Sequence, residues 1–309
     1  MKGSYLLVAD LASVSVVVST YTPDRLQSVL DCIHSLRMQT ISPYEIILVL
    51  DPNRDLVEFY QSKVAPYVRI VVSNDKGLSN ARNSGIMSAR GEIIAFIDDD
   101  AEADRKWLER LLGHYSDPDV VVVGGSAKPL WNGRRPIWFP EELDWIVGCS
   151  YKGLPEKVSI VRNPIGCNMS FRKAVFDKIG FFNSVIGRVG KKLLGSEETD
   201  FSIKILSRIP DSKIIYDPSA IVYHRIDSNR RNLRYVVTRS FYEGVSKALI
   251  SSAQGASPDL STESYYLKYL LKVAFPLRLK SLYKLESLAQ MITLLLSTSM
   301  VFLGYVKRG

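Results

Sequence analysis

The chain is poor in cysteine and histidine, with three of each in 309 residues. Cys32, Cys149 and Cys167 follow no zinc or dithiol spacing. A zinc module, a redox motif and a disulfide framework are therefore excluded as organising features, and three buried, reduced thiols are expected. There is no internal repeat and no low-complexity segment, which excludes a solenoid and large-scale disorder. No long charge-free apolar run occurs before Leu288. The short apolar stretch Tyr5 to Val8 is cut by Asp10, and no small-residue cleavage site follows clearly. A secretory signal is not expected, and the chain is expected to begin in the cytoplasm.

What is present is the composition of a globular protein: 46% apolar and 23% charged residues. That length and apolar share allow one large α/β domain with an appendage. The net charge is +8, and the Lys and Arg residues are dense between Arg225 and Lys284, interleaved with aromatic and aliphatic residues. That interleaving favours a membrane surface or a phosphate-bearing lipid. No zinc-finger or RNA-binding motif accompanies it, so no nucleic-acid partner is expected.

Val14-Ser-Val-Val-Val-Ser-Thr20, Ile46-Ile-Leu-Val-Leu50, Val68 to Val72 and Ile93-Ile-Ala-Phe-Ile97 read as buried strands. Helical patterns separate them: Arg25 to Met38, Asp55 to Val64, and a loop and helix over Lys76 to Arg90. A helix at Lys106 to Tyr115 and a strand at Val120 to Val123 follow. Alternation of this kind predicts an α/β fold with a mostly parallel sheet flanked by helices. Such sheets bind ligands at the carboxyl ends of their strands. Ser19-Thr20-Tyr21, Asp51 and Asp98-Asp99-Asp100 all fall at such ends. Beyond them come a Trp-, Pro- and Gly-rich stretch over Pro129 to Tyr151 and a strand over Asn163 to Phe171. A glycine-rich loop over Gly187 to Gly195 and short strands at Ile214 to Tyr216 and Ala220 to His224 complete the domain.

Three adjacent carboxylates after an apolar strand repel one another unless a cation neutralises them. Oxygen ligands suit Mg²⁺ or Mn²⁺, either of which would also bind a diphosphate. An acidic turn capping the next helix would need the same residues. Glu197-Glu198-Thr199-Asp200 can likewise be a charged helix start or a source of a general base. His224 ends a short strand as a metal ligand or a core residue. In Gly77-Leu-Ser-Asn-Ala-Arg-Asn-Ser-Gly85, Arg82 can reach a phosphate, or the segment is only a surface helix start.

Taken in order, these segments resemble family 2 glycosyltransferases, which have the GT-A fold, over roughly residues 12 to 250. The resemblance implies an inverting transferase using a UDP- or GDP-sugar and a Mn²⁺ or Mg²⁺ cofactor. It implies that Ser19, Tyr21 and Asp51 touch the nucleoside, that Arg82 touches base or phosphate, and that Asp98 and Asp99 lie on the nucleotide-sugar side. Asp98, Asp100 and His224 would hold the metal, and Glu198 would be the catalytic base, where many relatives have Asp. Three segments, Phe139 to Gly153, Asn163 to Arg172 and Arg239 to Lys247, are similar to an archaeal branch used in protein N-glycosylation. Some members of that branch are glucosyl-dolichyl-phosphate glucuronosyltransferases. On that likeness Trp145, Asn168 and Glu197 belong to the acceptor side, and the acceptor is a lipid-linked phosphate or its glycosylated form.

Leu288 to Val306 carries no charge and is just long enough to span a bilayer. Tyr265 to Lys284 mixes Leu, Tyr and Phe with Lys and Arg, as an interfacial helix interrupted at Pro276 would. Residues 1–228 are thus expected to form the transferase domain and 229–309 a helical, membrane-associating region. The catalytic domain is expected on the cytoplasmic side. The same helices could instead make the interface of a homo-oligomer. Two rivals have their own marks. A nucleotidyltransferase would need a glycine- and lysine-rich loop after the first strand, which Thr20 to Arg25 lacks. A non-catalytic membrane scaffold would have lost the Asp triplet or the Glu pair, and both are present.

Overall fold

The structure, a computed structural model, describes residues 12–186, 194–254 and 261–307. The N-terminal segment, most of the Gly187–Gly195 loop and Arg308 lie outside the described residues. Four strands run parallel: β1 (Val14–Thr20), β2 (Glu45–Leu50), β3 (Val68–Val72) and β4 (Ile93–Asp98). The rest of the sheet comprises β5 (Ala101–Ala103), β6 (Val120–Trp131), β7 (Ser159–Ile160), β8 (Asn168–Arg172) and β9 (Lys213–Ile226). The order is β3-β2-β1-β4-β8-β6-β9-β5, with β7 beside β9. The expected parallel half ends at β4. β8 then inserts antiparallel between β4 and β6, so the complete sheet is mixed.

β1, β2 and β4 are mostly apolar because both sheet faces are covered there, while the edge strand β3 carries Arg69 and is only partly buried. Val16, Val18, Leu48 and Ile97 pack under α1 (Leu26–Arg37), α2 (Arg54–Gln61) and α4 (Trp107–Gly113). Val17, Ile47, Val49 and Phe96 face α3 (Leu78–Ser88), α5 (Ala174–Ile179) and α6 (Glu197–Arg208). On that second face Phe171, Phe176, Phe182 and Phe201 form one aromatic cluster, with Phe176 and Phe201 stacked at 5.1 Å. Each buried side chain of this size contributes about 1.5–3 kcal/mol.

Two strands are longer than their sequence pattern. β6 runs to Trp131, and β9 absorbs both expected short strands across Pro218. The pairing of β6 with β9 shifts register between Gly125 and Ser126, where Asp217 gives way to Ile221 as the partner. Pro218 therefore sits in a bulge, where its missing N–H costs no ladder bond.

The C-terminal helices are α7 (Leu233–Gln254), α8 (Ser261–Tyr269), α9 (Phe275–Leu279) and α10 (Leu285–Val306). No interruption occurs at Pro276. That residue lies in the first turn of α9, where proline is tolerated, after a π-helical segment Leu270–Ala274. α7 and α10 approach closely at two glycines. A Cβ on Gly244 would lie 1.9 Å from the Val301 carbonyl oxygen, and one on Gly304 would lie 2.0 Å from that of Phe241. Ser240 and Ser297 hydrogen-bond across the same seam at 2.8 Å. The helices also return to the domain. Arg278 grips Glu142 through both oxygens at 3.0 and 2.7 Å, and the Tyr266 hydroxyl donates to the Glu142 carbonyl. α10 is long and apolar enough to cross a membrane by length and composition.

Candidate active site

Register brings the acidic residues together. Ser19 pairs with Asp98 on one side and Val49 on the other, so β1, β2 and β4 end at one level. The short β5 turns back after Asp100 and pairs Ala101 with His224 of β9. Asp98, Asp100 and His224 thereby offer ligand atoms within 4.8 Å of one another. His224 Nε2 is 3.0 Å from one Asp100 oxygen and 3.7 Å from Asp98. Asp100 is buried and lies against three cationic groups, His224, Arg25 and Arg230. Two carboxylates and one imidazole converging on one point are a donor set that suits a divalent cation. Burial alone would raise the Asp100 carboxyl, but His224, Arg25 and Arg230 outweigh it and hold the group well below the usual range. For His224 burial works downward, and the Asp100 carboxylate and its hydrogen bond push it up to about 10.

Arg25 and Arg230 are cations of this site that sequence reasoning did not find. Arg25 closes the 3₁₀ turn Pro23–Arg25 and ion-pairs with Asp99, and also with Asp100 at 3.2 Å. Its guanidinium lies 5.4 Å from the centre of the Tyr21 ring. Arg230 is 3.6 Å from Asp100. Asp99, expected on the nucleotide-sugar side, instead turns into the protein, where it is buried against Arg25. Burial and the Asp100 charge push its carboxyl up to about 7 despite Arg25.

Tyr21 is 62% exposed beyond the end of β1. Asp51 follows β2, joined to β1 by its N–H on the Thr20 carbonyl. Its half-buried carboxyl is raised by desolvation and partly relieved by a hydrogen bond from the Gly77 backbone. Gly77 caps α3 at φ 108°, a conformation that favours glycine. From α3, Arg82 reaches Asp98 at 3.3 Å, pairs with Glu197 and donates to the Gly166 carbonyl at 2.7 Å.

A cavity of about 320 Å³ opens from Arg82, Asp98 and Glu198 toward Trp145 and the C-terminal helices. Glu198 stands in the first turn of α6, and burial, then the charge of Glu197, push its carboxyl up to about 7. Trp145 lines the cavity, its indole N–H donating to Tyr266. Glu197 also lines it, but its carboxylate is engaged by Arg82. Asn168 does not reach the acceptor side. It is fully buried in β8, where its amide accepts from Trp107 and donates to the Ser126 and Ala220 carbonyls. It braces β6 against β9. The three cysteines are buried free thiols, and Cys149 lies 3.7 Å from His224 Nδ1.

Residues 15–180 match glycosyl transferase family 2. Over 300 residues the chain is 35% identical to the glucosyl-dolichyl phosphate glucuronosyltransferase of Haloferax volcanii, covering 95% of each protein. It is 27% identical over 185 residues to glycosyltransferase AglE of the same organism, covering 57% of this chain and 58% of that one. Among solved structures, GalNAc-T7 with UDP, GalNAc and Mn²⁺ aligns with a TM-score of 0.54 at 14% identity. That alignment covers 87% of this chain and 57% of GalNAc-T7, and the likeness is one of GT-A fold. With a family match over more than half its length and a relative similar almost end to end, the chain belongs to glycosyl transferase family 2 and is a sugar-transferring enzyme.

Proposed function

We propose that this protein transfers a sugar, glucuronic acid, from its UDP derivative to the glucose of a glucosyl-dolichyl phosphate, with inversion at the anomeric carbon. The observation that carries the reading is the extent of the similarity to the Haloferax volcanii glucuronosyltransferase. It spans the strand ends and the C-terminal helices alike, and one cavity is lined by both.

In this reading Ser19, Tyr21 and Asp51 hold the nucleoside at the ends of β1 and β2. Asp98, Asp100 and His224 hold Mn²⁺ or Mg²⁺, which supplies Lewis-acid stabilisation of the leaving diphosphate. Arg25 and Arg230 orient Asp100. Arg82 keeps Asp98 and Glu197 in place. Glu198 takes the proton of the attacking acceptor hydroxyl. Its elevated carboxyl suits that role, because a base poised near the working pH both ionises and accepts the proton well.

Residues 229–309 form the acceptor half of the site in this reading, and the catalytic domain lies on the cytoplasmic face of the membrane. α10 lies along the membrane surface. It is paired through Gly244 and Gly304 with α7, whose Arg239, Glu243 and Lys247 line the cavity. A spanning α10 would draw those charges toward hydrocarbon. Its outer face, with Leu288, Ile292, Leu295 and Phe302 exposed, is the surface that lipid would cover.

The test is transfer by purified protein from radiolabelled UDP-glucuronic acid to glucosyl-dolichyl phosphate, with dolichyl phosphate as the alternative acceptor. The reading expects product on the glucosylated lipid. Product on dolichyl phosphate alone, or only from a different nucleotide sugar, would overturn it.

A further inference from the structure

The tail end of the cavity holds a buried cluster of charges that the transfer chemistry at Glu198 does not use. Arg162 grips Glu263 through both oxygens at 2.6 and 2.9 Å. Lys247 reaches Glu263 at 2.5 Å and Glu243 at 3.4 Å. Arg239 donates to Glu243 from one terminal nitrogen at 2.8 Å. All five residues line the cavity. The two carboxyls are held below their usual range, Glu263 at about 2, where burial opposes but Lys247 and Arg162 prevail. The cluster is therefore charged at neutral pH.

Arg239 is the incomplete member. It is 8% exposed, and its Nε is buried with no hydrogen-bond partner among the described residues. Its one carboxylate, Glu243, is shared with Lys247. A buried guanidinium with an unused donor is costly, and the edge of a guanidinium matches two oxygens of a phosphate. Arg239 lines the cavity.

The ligand's charge follows from the neighbours. Glu243 and Glu263 in the same cluster repel a second negative charge, which favours a monoanion over a phosphomonoester carrying nearly two charges. A phosphodiester has one charge and two free oxygens. The groups on either side match its two substituents. Toward the sheet lies Glu198, and Trp145, whose ring is 5.9 Å from the Arg239 guanidinium, stands beside Arg239 in the cavity wall. Toward the tail lie Leu267, Thr298 and Val301, on helices with exposed apolar faces. Glu243 is close enough to help push the Glu198 carboxyl up, so the two ends of the cavity are electrostatically joined.

We propose that Arg239, flanked by Lys247 and Arg162, binds the phosphodiester of a lipid-linked sugar, setting the sugar toward Trp145 and Glu198 and the lipid along the C-terminal helices. This rests on the acceptor class named above. It adds a charge-selective subsite that distinguishes sugar-phosphate-lipid from free lipid phosphate.

The experiment is binding, read by tryptophan fluorescence without donor, of geranyl phosphoglucose, uncharged geranyl glucoside and inorganic phosphate. The wild type binds the phosphodiester at least about tenfold more tightly than the glucoside, the scale of one charged hydrogen bond. Arg239→Gln abolishes that preference and leaves glucoside binding unchanged. The pair Arg239→Gln with Glu243→Gln removes the guanidinium without leaving its partner carboxylate bare, and it loses the preference too. Equal affinity of the wild type for both geranyl probes would overturn the proposal. So would a preference that survives in both variants, or inorganic phosphate binding as tightly as the diester, which would mark a general anion site. Failure to transfer glucuronic acid would instead count against the reaction proposed above, because this comparison needs no turnover.

Discussion

The two ends of the cavity are built in different ways. At the sheet end, the acidic residues sit where strands stop, and parallel register carries them to one level. Asp51 follows β2, and Asp98 closes β4 ahead of Asp99 and Asp100, so their positions follow from local patterns. At the tail end, Arg162, Arg239 and Glu263 come from a loop and two helices far apart in the chain, and meet only because α7 and α8 fold over the domain. Their geometry is tertiary from the outset. The sheet end concentrates carboxylates that call for a cation. The tail end concentrates cations that call for an anion.

Replacing Glu198 breaks the symmetry between these ends most sharply. Glu198→Gln is expected to slow transfer to an acceptor hydroxyl by about 10²- to 10⁴-fold, the usual span for a lost general base. Transfer to a lipid phosphate, already anionic, should fall far less. Wild-type kcat/KM on the hydroxyl acceptor should rise as pH passes about 7, because the carboxyl must lose its proton before it can accept one. Equal and negligible losses on both acceptors would remove Glu198 from the chemistry.

A smaller effect separates metal support from metal ligation. Arg25→Gln leaves Asp98, Asp100 and His224 in place but removes the guanidinium that holds Asp99 and Asp100. Mn²⁺ affinity, measured by titration calorimetry, is expected to fall about 10- to 100-fold, as for other residues that orient metal ligands. Unchanged affinity would make the Arg25 pair a matter of folding alone.

Asn168→Ala should have the least effect on function. It strands the Trp107 indole N–H and two carbonyls between β6 and β9. Thermal unfolding should show a loss of about 1–3 kcal/mol, with the acceptor KM unchanged. A raised acceptor KM with unchanged stability would return Asn168 to the acceptor side.

The contrast between the ends also explains what was legible in the sequence. β1 to β4 announced themselves through mainly apolar, β-branched runs, and Asp51 and Asp98 through their place at the ends of β2 and β4. Asp99 misled because the chain turns after Asp98, and the turn carries its carboxylate inward against Arg25, a partner that only packing supplies. Asn168 was placed on the acceptor side by the resemblance of its segment alone, whereas its amide is buried between Trp107 and the Ser126 and Ala220 carbonyls, partners that only the assembled sheet supplies. β9 was divided by Pro218 because a bulge cannot be seen without its partner strand. Arg25 and Arg239 carried no local signal, since their partners or openings arise only from packing. The basic, aromatic character of Arg225 to Lys284 covers Arg239 and Lys247 but does not single them out.

The most direct test of the account is calorimetric binding of a panel of UDP- and GDP-sugars to the purified full chain, with Mn²⁺ and with chelator. The account predicts that one donor, a UDP-sugar, binds with Mn²⁺ and is lost both with chelator and in Asp100→Ala. Binding of no donor under any metal condition would contradict it and leave the acidic strand ends as helix and turn caps on a membrane-bound scaffold.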